Sequence, residues 1–468
     1  MKKISLAIFI CINSIAHAQD VQKKIDNYVK ILLNDVQMKH ALLSLYVVES
    51  KSGKVIYNLN EQTGLAPAST QKLFTSAAAF DLLGKDYRFK TEIGYNGNIE
   101  NGTLNGNIFI VGSGDPSLGS WRWQQTTRES FLGKVISILL SAGIRKINGN
   151  IILDDSKFSY QPLPGGWIWE DIGNYYGAGT WAINWNENQY DLILKPGKKE
   201  GDSISIINTE PNLSEYTFTN FLKTGKPNTG DNGYIYMAPY SSYAFVDGTE
   251  EPSSNSYTIS GALPFPALQL AAELKKKLLE NNIAFNEIIP SEKFITNKTQ
   301  LPKATSQIGE IISPSLDSLT YFFLQKSINL YGEAFLKTIA YENSGIGSTE
   351  KGVEVLQNFW QQHGIEKSAI NIIDGSGLSP QNRVTTNALV TVLQYAKTRS
   401  WFNAFYNALP VYNNMKMKSG TIGGAKAFAG YQTSKSGIEY TFAIIINNFD
   451  NDGGSIVPKM YKILDELK

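Results

Sequence analysis

Apolar residues change their spacing several times along the 468 positions of the chain. Ile4 to Ile15 is a mainly apolar run of twelve residues between Met1-Lys2-Lys3 and the polar Gln19-Asp20, and it is followed by Ala16-His17-Ala18. That three-part layout predicts a secretory leader over residues 1–18, cleaved after about Ala18. The run is well short of the ~20 apolar residues that a membrane-spanning helix needs. From Asp20 to Val36 the apolar residues Val21, Ile25, Tyr28, Val29, Leu32 and Leu33 recur at helical spacing. Ala41 to Glu49 and Val55 to Leu59 are strand-like runs joined by the polar Ser50–Lys54, which predicts a hairpin. A second helix is expected from Ser69 to Leu83.

From about Tyr87 the texture turns to short strands with Asn-Gly turns at 96–97, 101–102, 105–106 and 148–149. The helical period returns from about Pro264 in Leu268, Leu270, Ala271, Leu274, Leu278 and Leu279. Further helices are predicted at Leu316 to Tyr341, Gly352 to His363 and Thr385 to Lys397. Strands close the chain at Met415 to Lys418, Ala427 to Gln432 and Tyr440 to Asn447, followed by a helix from Pro458. The pattern predicts an α/β domain, residues 19–88 and 259–468, split by a large β-rich insertion over 89–258.

Composition removes several classes of function. The 43 Lys and Arg balance 42 Asp and Glu with no basic run, so no nucleic-acid partner is expected. The single cysteine, Cys11, lies in the leader behind the bulky Ile10, which argues against lipidation and leaves an exported, thiol-free protein held by its own core. The short, mixed-charge C-terminal helix offers no stable membrane anchor. Only His40 and His363 follow the leader, neither in a metal-ligand spacing, so neither a metal nor another cofactor is expected. No Gly-x-Ser-x-Gly elbow accompanies them, so a hydrolase built on this chain needs a base other than histidine. Six of the eight tryptophans fall between Trp121 and Trp185, where packing is the first explanation and sugar stacking the second.

A serine nucleophile without histidine can use a lysine whose ammonium is destabilised by burial and by a second cation. Ser-x-x-Lys on a helix puts both side chains on one face. Two such tetrads occur, Ser69-Thr70-Gln71-Lys72 and Ser348-Thr349-Glu350-Lys351. The first opens an apolar helix and is the candidate nucleophile and base. The second sits in a Gly-rich turn, where Ser348 reads as a helix N-cap. Ser327-Ile328-Asn329 offers a hydroxyl and an amide, while Ser253-Ser254-Asn255 reads as a turn. Of four Lys-[Ser/Thr]-Gly triplets, only Lys418-Ser419-Gly420, followed by Thr421, ends a predicted strand.

In that order, Ser69-x-x-Lys72, Ser327-x-Asn329 and Lys418-Ser419-Gly420 resemble the class C low-molecular-mass penicillin-binding proteins, the D-alanyl-D-alanine carboxypeptidases/endopeptidases. Ser327-Ile328-Asn329-Leu330-Tyr331-Gly332-Glu333, Asp374-Gly375-Ser376-Gly377-Leu378-Ser379 and Gly112-Ser113-Gly114-Asp115-Pro116-Ser117-Leu118 extend the likeness over most of the mature chain. The resemblance implies a penicillin-binding/serine β-lactamase-like transpeptidase fold, an antiparallel sheet flanked by helices. It implies periplasmic action on peptidoglycan stem peptides, with β-lactam antibiotics as covalent inhibitors. By the same likeness Ser69 attacks, Lys72 is the base, Ser327 relays a proton and Asn329 holds the lysine and the substrate carbonyl. Lys418 polarises Ser327 and, with Ser419, Gly420 and Thr421, forms the carboxylate and oxyanion side. The family's acidic residue for a diaminopimelate amino group falls on Asp154. Two departures stand out: Ser419 replaces the commoner threonine, and the loop from Ala408 to Met415 is short. A β-lactamase or esterase on the same scaffold is the first alternative, and the large insertion argues against it. A catalytically weak peptidoglycan-binding protein is the second, and two lysines near one serine argue against that.

Overall fold

The computed structural model describes residues 19–253, 255–450 and 454–468, so the expected leader lies outside the described residues. The chain divides into two units. The first takes the described residues up to Lys85, with Thr320–Ser327 and Val353–Lys468, and the second takes Asp86–Leu319 and Ile328–Gly352.

A six-stranded antiparallel sheet organises the first unit, in the order Val55–Leu59, Leu42–Glu49, Glu439–Asn447, Ala425–Thr433, Met415–Ile422, Val411–Tyr412. The hairpin expected near the N-terminus forms its first two strands. Leu43, Leu45 and Val47 alternate onto one face and meet Phe442, Ile444 and Ile446 there. The helix over 19–33, through Val21, Ile25, Val29 and Leu32, and the helix Val457–Leu464, through Met460, Ile463 and Leu464, cover that face. Ser44 points the other way, and its hydroxyl lies 2.7 Å from that of Thr386, first residue of the helix Thr386–Lys397. With helices on both faces, the central strand is buried continuously from Tyr440 to Ile446, which is why it reads as an apolar run rather than an alternation.

The helix Lys72–Leu82 is buried on nearly every side, from Lys72 to Phe80. Its buried polar side chains are satisfied, Thr75 by Gly375 O and Ser76 by Lys72 O, and Ala77-Ala78-Ala79 lets its neighbours approach closely. Phe74 meets Trp360 edge-on at 6.0 Å, and Phe80 stacks on Trp401 at 5.2 Å.

In the second unit a five-stranded sheet runs Ile288–Pro290, Ile151–Asp154, Ile108–Val111, Lys90–Tyr95, Ser306–Ile312. The helices Arg128–Ser141 and Pro266–Glu280 pack Phe131, Val135, Leu139, Leu270, Leu274 and Leu278 onto Ile93, Ile108, Ile110, Ile151 and Leu153. A smaller core gathers Leu192, Leu194, Ile235, Val246 and Ile259 from the remaining strands. Trp167, Trp181 and Trp185 are buried, whereas Trp121 and Trp169 are exposed.

Three features differ from the sequence expectation. The second unit continues to Leu319 rather than ending near 258, because Pro266–Glu280 joins the Ile93 core and Ser306–Ile312 pairs with Lys90–Tyr95. An amphipathic stripe says that a helix face is buried, not which core covers it. The long helix expected from Leu316 to Tyr341 is two helices, Leu316–Gln325 and Asn329–Ser344, broken where Ser327 takes φ 57°. A non-glycine residue at that φ cannot continue a right-handed helix. The strand expected to end at Lys418 runs on to Ile422, so Lys418–Thr421 lie within it.

Candidate active site

Ser69 lies in a single tight turn, Ala68–Gln71, that feeds directly into the helix opened by Lys72. The turn has 3₁₀ geometry rather than the α-helical start the sequence suggests, and Ala68 enters it at φ 46°. Thr70 closes it by donating its hydroxyl to Pro67 O at 2.7 Å. Ser69 is half-buried, while the Lys72 side chain is fully buried. The Lys72 ammonium donates to Ser69 Oγ at 2.9 Å and to Ser376 O at 2.7 Å, and stands 5.7 Å from the centre of the Phe323 ring. An amine so held is aimed at the hydroxyl it would deprotonate, which is the geometry a lysine base requires.

The second partner of Lys72 is supplied by the Asp374–Ser379 turn. Buried Asp374 accepts hydrogen bonds from Gly377 N at 2.8 Å, Ser379 N at 2.7 Å, Asn382 Nδ2 at 2.9 Å and Gln71 Nε2 at 2.8 Å. Gln71 also reaches Asp374 O at 2.6 Å, and Thr75 Oγ1 donates to Gly375 O at 2.6 Å. Gly377, at φ 83°, passes so close to the nucleophile's turn that a Cβ would lie 2.1 Å from Ala68 O. In the sequence this stretch stands out only as a family likeness, with no role attached. Its sole local signal is a run of Asp, Gly and Ser suited to a tight turn, because a backbone carbonyl acceptor leaves no residue signature.

The strand Met415–Ile422 brings the third motif to the same place. Gly420 lies against the turn, where a Cβ would fall 2.4 Å from Pro67 O and 2.9 Å from Ser69 N. The Lys418 side chain is 1% exposed and donates to Ser419 O at 2.8 Å. Burial pulls the Lys418 ammonium well below its ordinary range, and the Lys72 and Lys426 cations push the same way. Lys426 is a residue the sequence reading missed. It pairs with Thr421 across the hairpin and donates to Thr421 Oγ1 at 2.6 Å. Burial lowers its pKa as well. Its signal was present, since a Gly423-Gly424 turn between two strands sets residues 421 and 426 opposite each other.

Ser327, half-buried at the helix break, belongs to the same unit as Ser69 and ends the segment that carries Phe323. Asn329 begins the next helix within the second unit, and its amide donates to Tyr176 O at 2.7 Å. Asp154 also lies in the second unit, at the end of the strand Ile151–Asp154, where it accepts from Ser156 N at 2.9 Å. Its neighbour Asp155 is buried and bonded to Ser291, and burial raises its carboxyl to about 6. Ser348 accepts the backbone N–H of Lys351 at 3.2 Å, as a helix N-cap does.

Known proteins share this fold. The profile of the D-Ala-D-Ala carboxypeptidase 3 (S13) family matches residues 22–467. The D-alanyl-D-alanine carboxypeptidase DacB of Haemophilus influenzae is 27% identical over 433 residues, covering 85% of this chain and 83% of that protein. A D-alanyl-D-alanine carboxypeptidase of Actinomadura is 25% identical over 466 residues, covering 90% of this chain and 80% of its own length. The crystal structure of penicillin binding protein 4 from Haemophilus influenzae superposes with a TM-score of 0.77 at 22% identity, over 95% of this chain and 97% of that one. A second structure of that protein, complexed with a β-lactam, gives 0.73 at 21% identity over 94% and 97%.

Proposed function

The chain belongs to the D-Ala-D-Ala carboxypeptidase 3 (S13) family of serine-type, penicillin-binding enzymes, and on that premise we propose that Ser69 is its nucleophile and Lys72 its base. Lys72, neutral at that moment, takes the hydroxyl proton of Ser69 as Oγ attacks the penultimate D-Ala carbonyl. The oxyanion that forms is held by the backbone N–H groups of Ser69 and Thr421. The close approach of Gly420 to Ser69 N supports that pairing. Ser327 relays that same proton from Lys72 to the leaving amine, which returns Lys72 to neutral, Asn329 holds the substrate's peptide carbonyl, and terminal D-Ala departs to leave an acyl-enzyme. Water then attacks the ester and returns the proton to Ser69.

The terminal carboxylate of the substrate needs a cation and hydroxyl donors. We assign these to Lys418, Ser419 and Thr421, with Lys426 fixing the Thr421 hydroxyl. Asp154 is proposed to receive the free amino group of a diaminopimelate side chain. The inserted region, residues 89–258 by the sequence pattern, is proposed to select substrate, and the leader to send the enzyme to the periplasm. The observation that carries the reading is the fully buried Lys72 ammonium 2.9 Å from Ser69 Oγ.

Intact-mass analysis with benzylpenicillin, wild type beside Ser69→Ala, tests it. A long-lived adduct on wild type alone, with D-Ala release from a D-Ala-D-Ala peptide, is expected. An adduct that persists in Ser69→Ala would remove Ser69 from the role. Rapid penicillin turnover without D-Ala release would instead favour a β-lactamase on this scaffold.

A further inference from the structure

A cavity of ≈ 310 Å³ lies within the second unit and takes no part in the chemistry above. Its volume is at the lower end of small-molecule sites, roughly 300–1,000 Å³, which suits one ring-sized group. Trp121 and Tyr175 stand on its wall, 53% and 55% exposed, although aromatic rings of this size usually bury most of their surface. Trp121 is braced by the Arg122 guanidinium, 5.4 Å from the ring centre. Arg122 is itself clamped on buried Glu187 at 2.7 and 2.9 Å.

The polar part of the wall is nearly neutral. Arg128, the one cation among its described residues, is engaged by Glu210 at 2.6 Å and Glu273 at 3.4 Å, so an anion would find no unengaged partner in it. Asp191 accepts from Ser260 Oγ at 2.7 Å, which leaves further lone pairs for a hydroxyl donor. Ser260 pairs directly with Asp191 across the strands Tyr257–Ala262 and Gln189–Lys195, so the two side chains stand on the same face of that sheet.

Exposed aromatic faces, a carboxylate acceptor and a serine together suit a neutral ring with apolar C–H faces and hydroxyls. We propose that this cavity binds a sugar ring of the glycan strand, with the ring on Trp121 and Tyr175 and its hydroxyls on Asp191 and Ser260. The proposal rests on the peptidoglycan reading above and gives the second unit a substrate contact of its own.

The full mature chain is titrated with a β-1,4-linked N-acetylglucosamine tetramer, followed by calorimetry, for wild type, Trp121→Ala and Asp191→Asn. Saturable binding by wild type is expected, weakened about ten-fold or more by Trp121→Ala. Asp191→Asn, which keeps the shape and removes only the charge of the acceptor, is expected to weaken it a few-fold. Both variants are expected to keep the benzylpenicillin adduct and D-Ala release from a glycan-free peptide. No saturable binding by wild type, binding untouched by Trp121→Ala, or saturation by diaminopimelate in place of the sugar would each overturn the proposal. Loss of the adduct in wild type would count against Ser69 instead, so the two failures are distinguishable.

Discussion

Ser69–Lys72 and Ser348–Lys351 have the same spacing, and each stands at the start of a helix. They differ in what the serine hydroxyl touches. At Ser348 the oxygen accepts a backbone N–H, that of Lys351, and the lysine side chain is exposed. At Ser69 a 3₁₀ turn precedes the helix, the oxygen faces the lysine ammonium, and the ammonium is fully buried with a second acceptor on Ser376 O. A hydroxyl engaged as a cap satisfies the helix; one turned to a buried amine is available to react. The three-residue spacing is therefore necessary for a serine–lysine pair but does not create one. The surrounding turns do.

Lys72→Met and Lys351→Met break the symmetry most sharply. Benzylpenicillin acylation is expected to fall by roughly 10²–10⁴-fold for the first, as for loss of a general base, and to stay unchanged for the second, measured by stopped-flow or timed intact mass. Gly377→Ala asks whether the Asp374 turn, rather than spacing, makes the first tetrad reactive. Its Cβ would press on Ala68 O, and displacing the nucleophile's turn is expected to slow acylation by about 10²-fold.

A third test concerns the buried cations that accompany the first tetrad. The Lys418 ammonium, depressed by burial and by Lys72 and Lys426, loses its proton at a pH well below the ordinary 10.5. If its charge holds the substrate carboxylate, KM for D-Ala release rises by up to about ten-fold per pH unit above that point, and Lys418→Arg moves the limb to higher pH. The sign for stability is opposite. The folded state releases this proton more readily than the unfolded chain, so the same alkaline shift favours the fold. The smallest effect belongs to Ser348→Ala, expected to cost about 1 kcal/mol of stability in thermal or denaturant unfolding, with acylation unchanged.

Local chemistry is legible in the sequence of this chain. Ser69 and Lys72 are joined by spacing, Lys418 to Thr421 by a strand pattern, and the role of Ser348 by its Gly-rich surroundings. What is not legible depends on distance or on backbone. Ser376 reaches Lys72 through a carbonyl, which any residue carries. The break at Ser327 is hidden because apolar residues continue at helical spacing on both sides, with no Pro or Gly at the break itself, and a serine at positive φ is held there by its surroundings. The boundary near 258 fails for a similar reason, since Leu270, Leu274 and Leu278 would fit either core. Lys426 is recoverable from the Gly423-Gly424 turn once the strand is known to run on to Ile422.

The pairing of Leu42–Glu49 with Glu439–Asn447 also bears on how the chain is made. The first long strand waits for the last before its second edge is filled, and the unit that begins there is interrupted by most of the other. Closing so long a loop costs entropy before any contact repays it, so folding of this sheet is late and slow. Until the final strand arrives, Leu42–Glu49 presents an unpaired apolar edge, the kind of surface on which chains associate. Loss of the last thirty or so residues would therefore cause aggregation of the whole protein rather than a local defect, because the strand they remove is the centre of the sheet.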